Sequence, residues 1–102
     1  MNLMVELEGK TVPLAGCQYV LWEACGCPRG VTYASPDRPD PVITEDDAWK
    51  EFFARKRERD RVQREGLRME LMTHERYSRE VYPLMLKRAC PHEETEAVLV
   101  DD

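Results

Sequence analysis

Residues 3–14, LMVELEGKTVPL, alternate apolar and polar side chains on either side of Glu8-Gly9-Lys10, the pattern of two short strands joined by a tight turn. Pro13 has no N–H to give to a ladder, which puts the second strand at an edge or at its own end. Residues 17–23, CQYVLWE, gather aromatic and β-branched side chains and read as a further strand, with residues 31–34 as its return across the turn CGCPRG. The first third of the chain, 1–34, therefore predicts β hairpins with a cysteine turn, forming one small antiparallel sheet.

The pattern then changes. Residues 35–43 hold Pro36, Pro39 and Pro41 with no apolar period, so they predict an extended connector. Thr44 offers an N-cap side chain, and Glu45, Asp46 and Asp47 follow in the first turn, where the helix dipole favours negative charge. This predicts a helix over 44–65. Ala48, Trp49, Phe52 and Phe53 fall on one face at the spacing that packs on a sheet. Lys56, Arg57 and Asp60 stand where that stripe should continue, so the second half of the helix is expected to project into solvent.

Gly66 fits the position just past the helix end, and Leu67, Met69 and Leu71 alternate with Arg68 and Glu70 as a strand over 67–73. Thr73 can cap a second helix over 74–89, in which Tyr77, Val81, Leu84 and Met85 hold helical spacing and Pro83 is expected to kink or restart it. An acidic tail, 93–102, follows, its VLV triplet leaning toward strand. The fold class is thus α+β: a small N-terminal antiparallel sheet with two helices, in a single domain spanning 1–102.

Composition changes the picture by showing a thin core. Only 42% of the 102 residues are apolar and 34% are charged, against a usual charged share of about a quarter. A domain of this size gains from a staple. No run of about 18 apolar residues is present, and the opening MNLMVELEG carries acids where a secretory leader needs bases, so a cytoplasmic protein with no membrane partner is expected. In a reducing compartment the four cysteines are better suited to binding metal than to disulfides.

Candidate ligands come in two pairs. Cys25 and Cys27 flank Gly26, while Cys90 and His92 flank Pro91, which holds the chain extended; residues two apart in such a chain point to the same side. Cys25, Cys27, Cys90 and His92 would complete a closed structural Cys₃His zinc site, one zinc per chain. It would tie together two segments more than 60 residues apart in sequence. Cys17 is the alternate ligand, but its apolar strand neighbours favour a place in the core. One-residue gaps are rarer than the usual C-x₂₋₄-C, so buried thiols remain the bland alternative and thiol redox chemistry a distant one.

Charge singles out the helix. From Lys50 to Arg68 stand eight bases and four acids, in a chain whose net charge is −5. Arg55, Arg57, Arg59, Arg61 and Arg64 are the candidate partner-binding residues. Helical spacing predicts the internal pairs Glu51–Arg55, Asp60–Arg64 and Arg61–Glu65, which would account for part of the run as a solvated face. The interleaved acids, the missing aromatic platform and the acidic chain as a whole disfavour phosphate and base contacts. A protein partner is therefore the first expectation, nucleic acid the alternative, and self-association through Val62 a third. No HExxH follows His74 or His92, and neither GxSxG nor GxxxxGK[ST] occurs, so an enzyme is not expected. The reading is a small zinc-binding interaction module, a regulator or adaptor that docks through an arginine-rich helix.

Overall fold

The computed structural model describes residues 3–87. Cys90, His92, the end of the predicted second helix and the acidic tail lie outside the described residues. The opening alternation forms a hairpin of β1 (Met4–Leu7) and β2 (Lys10–Pro13), with Met4 opposite Pro13 and Leu7 opposite Lys10. Its two turn residues, Glu8 (φ 52°) and Gly9 (φ 77°), are both left-handed, the geometry whose twist matches a two-residue hairpin. Glu8 is an unusual residue there, and its carboxylate accepts from the Thr73 hydroxyl (2.7 Å) and the Thr73 N–H (3.4 Å).

The hairpin is a sheet of its own. A second, antiparallel sheet orders β4 (Pro28–Tyr33), β3 (Gln18–Trp22) and β5 (Arg68–Met72), with β3 in the middle. The single sheet expected from sequence is thus corrected to two. Instead of pairing with β3, the hairpin lays Val5, Leu7 and Val12 against a cluster of Leu14, Cys17, Tyr19, Ala34, Val42 and Ala48. β3 alternates strictly: Tyr19 and Leu21 face the hairpin and the helices after the connector, while Gln18, Val20 and Trp22 face the last helical segment. Both faces of this strand are covered, which is why it reads as a nearly unbroken apolar run.

After the connector, the Tyr19 hydroxyl donates to the Ile43 carbonyl (2.9 Å), and α1 (Glu45–Phe52) begins with a capping box. Thr44 Oγ1 accepts from the Asp47 N–H, and Asp47 Oδ2 accepts from the N–H groups of Thr44 (2.9 Å) and Ile43 (3.0 Å). These backbone donors, Thr44 first, hold the Asp47 carboxyl below its ordinary range.

The predicted helix over 44–65 does not run through. Phe53 is extended (φ −135°, ψ 103°) and a separate α2 (Lys56–Arg64) starts after Arg55. No glycine or proline marks the break. Arg59 Nη1 donates to the freed carbonyls of Phe53 (3.0 Å) and Ala54 (2.8 Å), satisfying the end of α1. The turn lets Val62, 3% exposed, join Leu21, Trp49 and Phe53 in one cluster. So α2 folds back onto the core instead of projecting, and the Val62 side chain is spent in that core.

Gly66 (φ 102°) closes α2 in a Schellman motif: its N–H donates to the Gln63 carbonyl and the Leu67 N–H to that of Val62. Beyond β5, Thr73 caps α3 (His74–Arg76), a π-helical turn spans Tyr77–Val81, and α4 (Tyr82–Met85) follows. Pro83 supplies no N–H and its ring crowds the carbonyl four residues back. The chain answers by widening one turn, with the Tyr82 N–H donating to the Tyr77 carbonyl. Tyr77 and Val81 pack on Val20 and Met72 as their spacing predicts, whereas Leu84 is exposed. Among the described residues no helix is long and apolar enough to cross a membrane.

Candidate functional site

The β3–β4 connection carries the first cysteine pair. The Glu23 N–H donates to the Cys27 carbonyl (2.8 Å) and the Gly26 N–H to the Glu23 carbonyl (2.9 Å), with Gly26 at φ 93°. Only a residue without a Cβ takes that angle cheaply, and it folds the two cysteines into one tight turn. Cys25 is exposed, its thiol donating to Glu23 Oε2 at 3.9 Å, and Cys27 is half-buried. Cys17 is a core residue: it is buried, its thiol donates to the Pro13 carbonyl (3.2 Å), and burial, then the Glu8 charge, pushes that thiol up. Among the described residues, no group of three or more histidines, cysteines and carboxylates could hold a metal.

This turn touches α2. A Cβ built on Gly66 would stand 2.7 Å from the Ala24 Cβ, so the end of α2 lies directly against the cysteine turn. On the face of the sheet that carries Val20, Met85 of α4 packs on the cluster of Val20, Met72, Tyr77 and Val81, against which Trp22 of β3 and Val31 of β4 also pack.

The arginines of α2 are divided in their work. Arg55, Arg57, Arg61 and Arg64 line, with Glu58, an open groove of about 480 Å³. Arg59 is not in it, being bound to the Phe53 and Ala54 carbonyls of the break. The ion pairs differ from those the spacing predicts. Glu51 meets Arg38 (3.3 Å) because Arg55 sits in the break and has left the helical lattice, and Asp60 meets Lys56 (2.9 Å), which holds its carboxyl below the ordinary range. The Arg61–Glu65 pair forms, loosely, at 3.9 Å. Among the described residues no ion pair within 4 Å engages Arg55, Arg57 or Arg64.

A second polar cluster escapes sequence reasoning. Gln18, 0% exposed, accepts at Oε1 from His74 (Nδ1, 2.8 Å), whose Nε2 is 3.3 Å from the Ser78 hydroxyl. Its Nε2 amide is buried with no hydrogen-bond partner. The available signal is its place on the strand face it shares with Val20 and Trp22. A buried amide donor left without a partner costs about 1–3 kcal/mol. Gln18→Leu keeps the shape, removes that donor and hands the exposed His74 ring to water. The variant is expected to be more stable by about 1 kcal/mol in urea denaturation; a loss of stability would show that the His74 bond outweighs the orphaned amide.

No protein-family profile, no curated protein and no solved structure matches this chain.

Proposed function

We propose that the protein is a zinc-stabilised interaction module that docks an acidic segment of a protein partner in the α2 groove. The observation carrying this reading is four arginines around one concavity, three of them outside any ion pair among the described residues. Guanidinium groups bind carboxylates in a planar fork, and unpaired ones need not give up an internal partner to do so. Glu58 among them would repel a phosphate backbone, and no aromatic side chain lines the groove to stack a base. Both points favour a protein partner over nucleic acid.

The zinc belongs to the same reading as a staple. Cys25 and Cys27 would supply one bite from the turn, and Cys90 and His92 the other; thiolates and a neutral imidazole suit tetrahedral zinc. Support comes from Met85, five residues before Cys90 in the chain, which packs on the same cluster as Trp22 and Val31 of the strands that the cysteine turn joins.

Two measurements test the reading. Fluorescence anisotropy with a labelled Glu-rich decapeptide should give binding that weakens about tenfold or more in Arg57→Glu/Arg61→Glu. Tighter binding to duplex DNA of equal charge, falling steeply between about 50 and about 200 mM salt, would replace the protein partner by nucleic acid. Metal analysis of the purified chain should find one zinc, lost in Cys27→Ser and in Cys90→Ser. A metal-free wild type with both variants folding normally would remove the staple.

A further inference from the structure

Away from the arginine groove, one set of side chains is placed for nucleophilic chemistry. The Ser78 hydroxyl stands 3.3 Å from Nε2 of His74, and the other ring nitrogen, Nδ1, stands 2.8 Å from Oε1 of Gln18. We propose that Ser78 is an acylation site that accepts the acyl group of a carboxylic ester, with His74 as its general base and Gln18 as the positioning residue behind the imidazole. The site shares no residue with the groove or the cysteine turn.

The tautomer carries the argument. A side-chain amide oxygen only accepts, so His74 must bring a proton on Nδ1 to meet it; in the neutral ring that leaves the Nε2 lone pair facing the Ser78 hydroxyl. Hydroxyl, imidazole and orienting amide, in that order, are the parts an activated oxygen nucleophile needs. Tyr77 holds the ring from a third side, its own ring stacked with centroids 6.1 Å apart. Gln18 is fully buried, and among the described residues its amide donor finds no partner, so the residue lowers stability where it stands. Holding His74 in one tautomer gives that cost a function. Access is open as well. Ser78 is exposed in the π-helical turn, and His74 lines a cleft of about 370 Å³ whose walls come from the hairpin and α3.

In the reaction, Oγ of Ser78 bonds to the ester carbonyl carbon as its proton passes to Nε2 of His74. The tetrahedral intermediate then breaks its bond to the leaving oxygen, which takes that proton from Nε2. An ester on Ser78, a free alcohol and a neutral imidazole result.

The test treats the full chain with p-nitrophenyl acetate and follows, by mass spectrometry, the peptides holding its two serines. Ser35 is the internal control, since its hydroxyl donates to the Tyr33 carbonyl instead of meeting an imidazole. Ser78 should be acetylated about 100-fold faster than Ser35, and His74→Ala should erase that advantage. Gln18→Leu should erase most of it in a chain that still unfolds cooperatively. Nitrogen NMR of the His74 ring at alkaline pH separates positioning from packing: the proton should sit on Nδ1 in wild type and on Nε2 in Gln18→Leu. Equal acetylation of the two serines, or an unchanged rate in His74→Ala, would overturn the nucleophile. A wild-type ring protonated on Nε2 would mean that Gln18 meets it through nitrogen, and would overturn the tautomer on which the proposal stands.

Discussion

Gly66→Ala is expected to lower the stability of the fold by about 3 kcal/mol. Two costs add. At φ 102° an alanine is held in a backbone region that L side chains avoid, worth about 1–3 kcal/mol. Its methyl would also arrive 2.7 Å from the Ala24 Cβ, well inside contact distance, and either α2 or the cysteine turn must move. Overpacking of this kind costs about 1–3 kcal/mol. Because the Gly66 N–H donates to the Gln63 carbonyl and the next N–H, that of Leu67, to the Val62 carbonyl, the strain falls on the bonds that end α2. Urea denaturation should show the midpoint falling with an unchanged slope. A companion Gly66→Ala/Ala24→Gly double variant should recover the clash part and leave the backbone part. Full recovery would show that φ at residue 66 is not strained, and no recovery that the contact with Ala24 is unimportant.

Leu21→Ala should cost about as much or more, in the range of about 2–5 kcal/mol for a buried leucine. Leu21 is 1% exposed and is the sheet residue around which Trp49, Phe53 and Val62 gather, one from α1, one from the break and one from α2. Losing it leaves a cavity at the point where both helices meet the sheet. For a domain near 100 residues, a loss of about 3 kcal/mol corresponds to a fall in Tm of roughly 12–24 °C. The groove should suffer with it, since Val62 is the buried apolar side chain by which α2 packs on Leu21. A Tm within a few degrees of wild type would mean that the cluster repacks around the missing methyls.

Much of this was legible in the sequence because local rules decide it. The Glu8-Gly9 turn, the Thr44 cap, Gly66 past a helix end and the Thr73 cap all depend on residues adjacent in the chain. The helix break was not, because residues 53–55 contain no breaker. It exists because Val62 gains more by burial against Leu21 than the helix loses at the break, and because Arg59 can satisfy the opened carbonyls from within α2. That long-range trade also reassigned the ion pairs of Glu51 and Asp60. Separation of the hairpin from the main sheet is likewise a matter of packing, since pattern alone gives strands without their partners. For the proposed site, the sequence offers the arginines and the first cysteine pair as candidates; it could not show that Ala24 rests on Gly66 and so makes them neighbours.

The two outer strands of the main sheet have a consequence for handling the protein at high concentration. Strand borders with unused N–H and C=O groups invite other copies to add on, and uncontrolled addition ends in aggregates. Here β4 begins with Pro28, which has no N–H to give to an added strand. On the opposite border, Arg68 and Glu70 stand along β5, with Glu70 held by Trp22 and Arg76. A missing donor marks one border and charged side chains the other, two devices that each make strand addition less favourable.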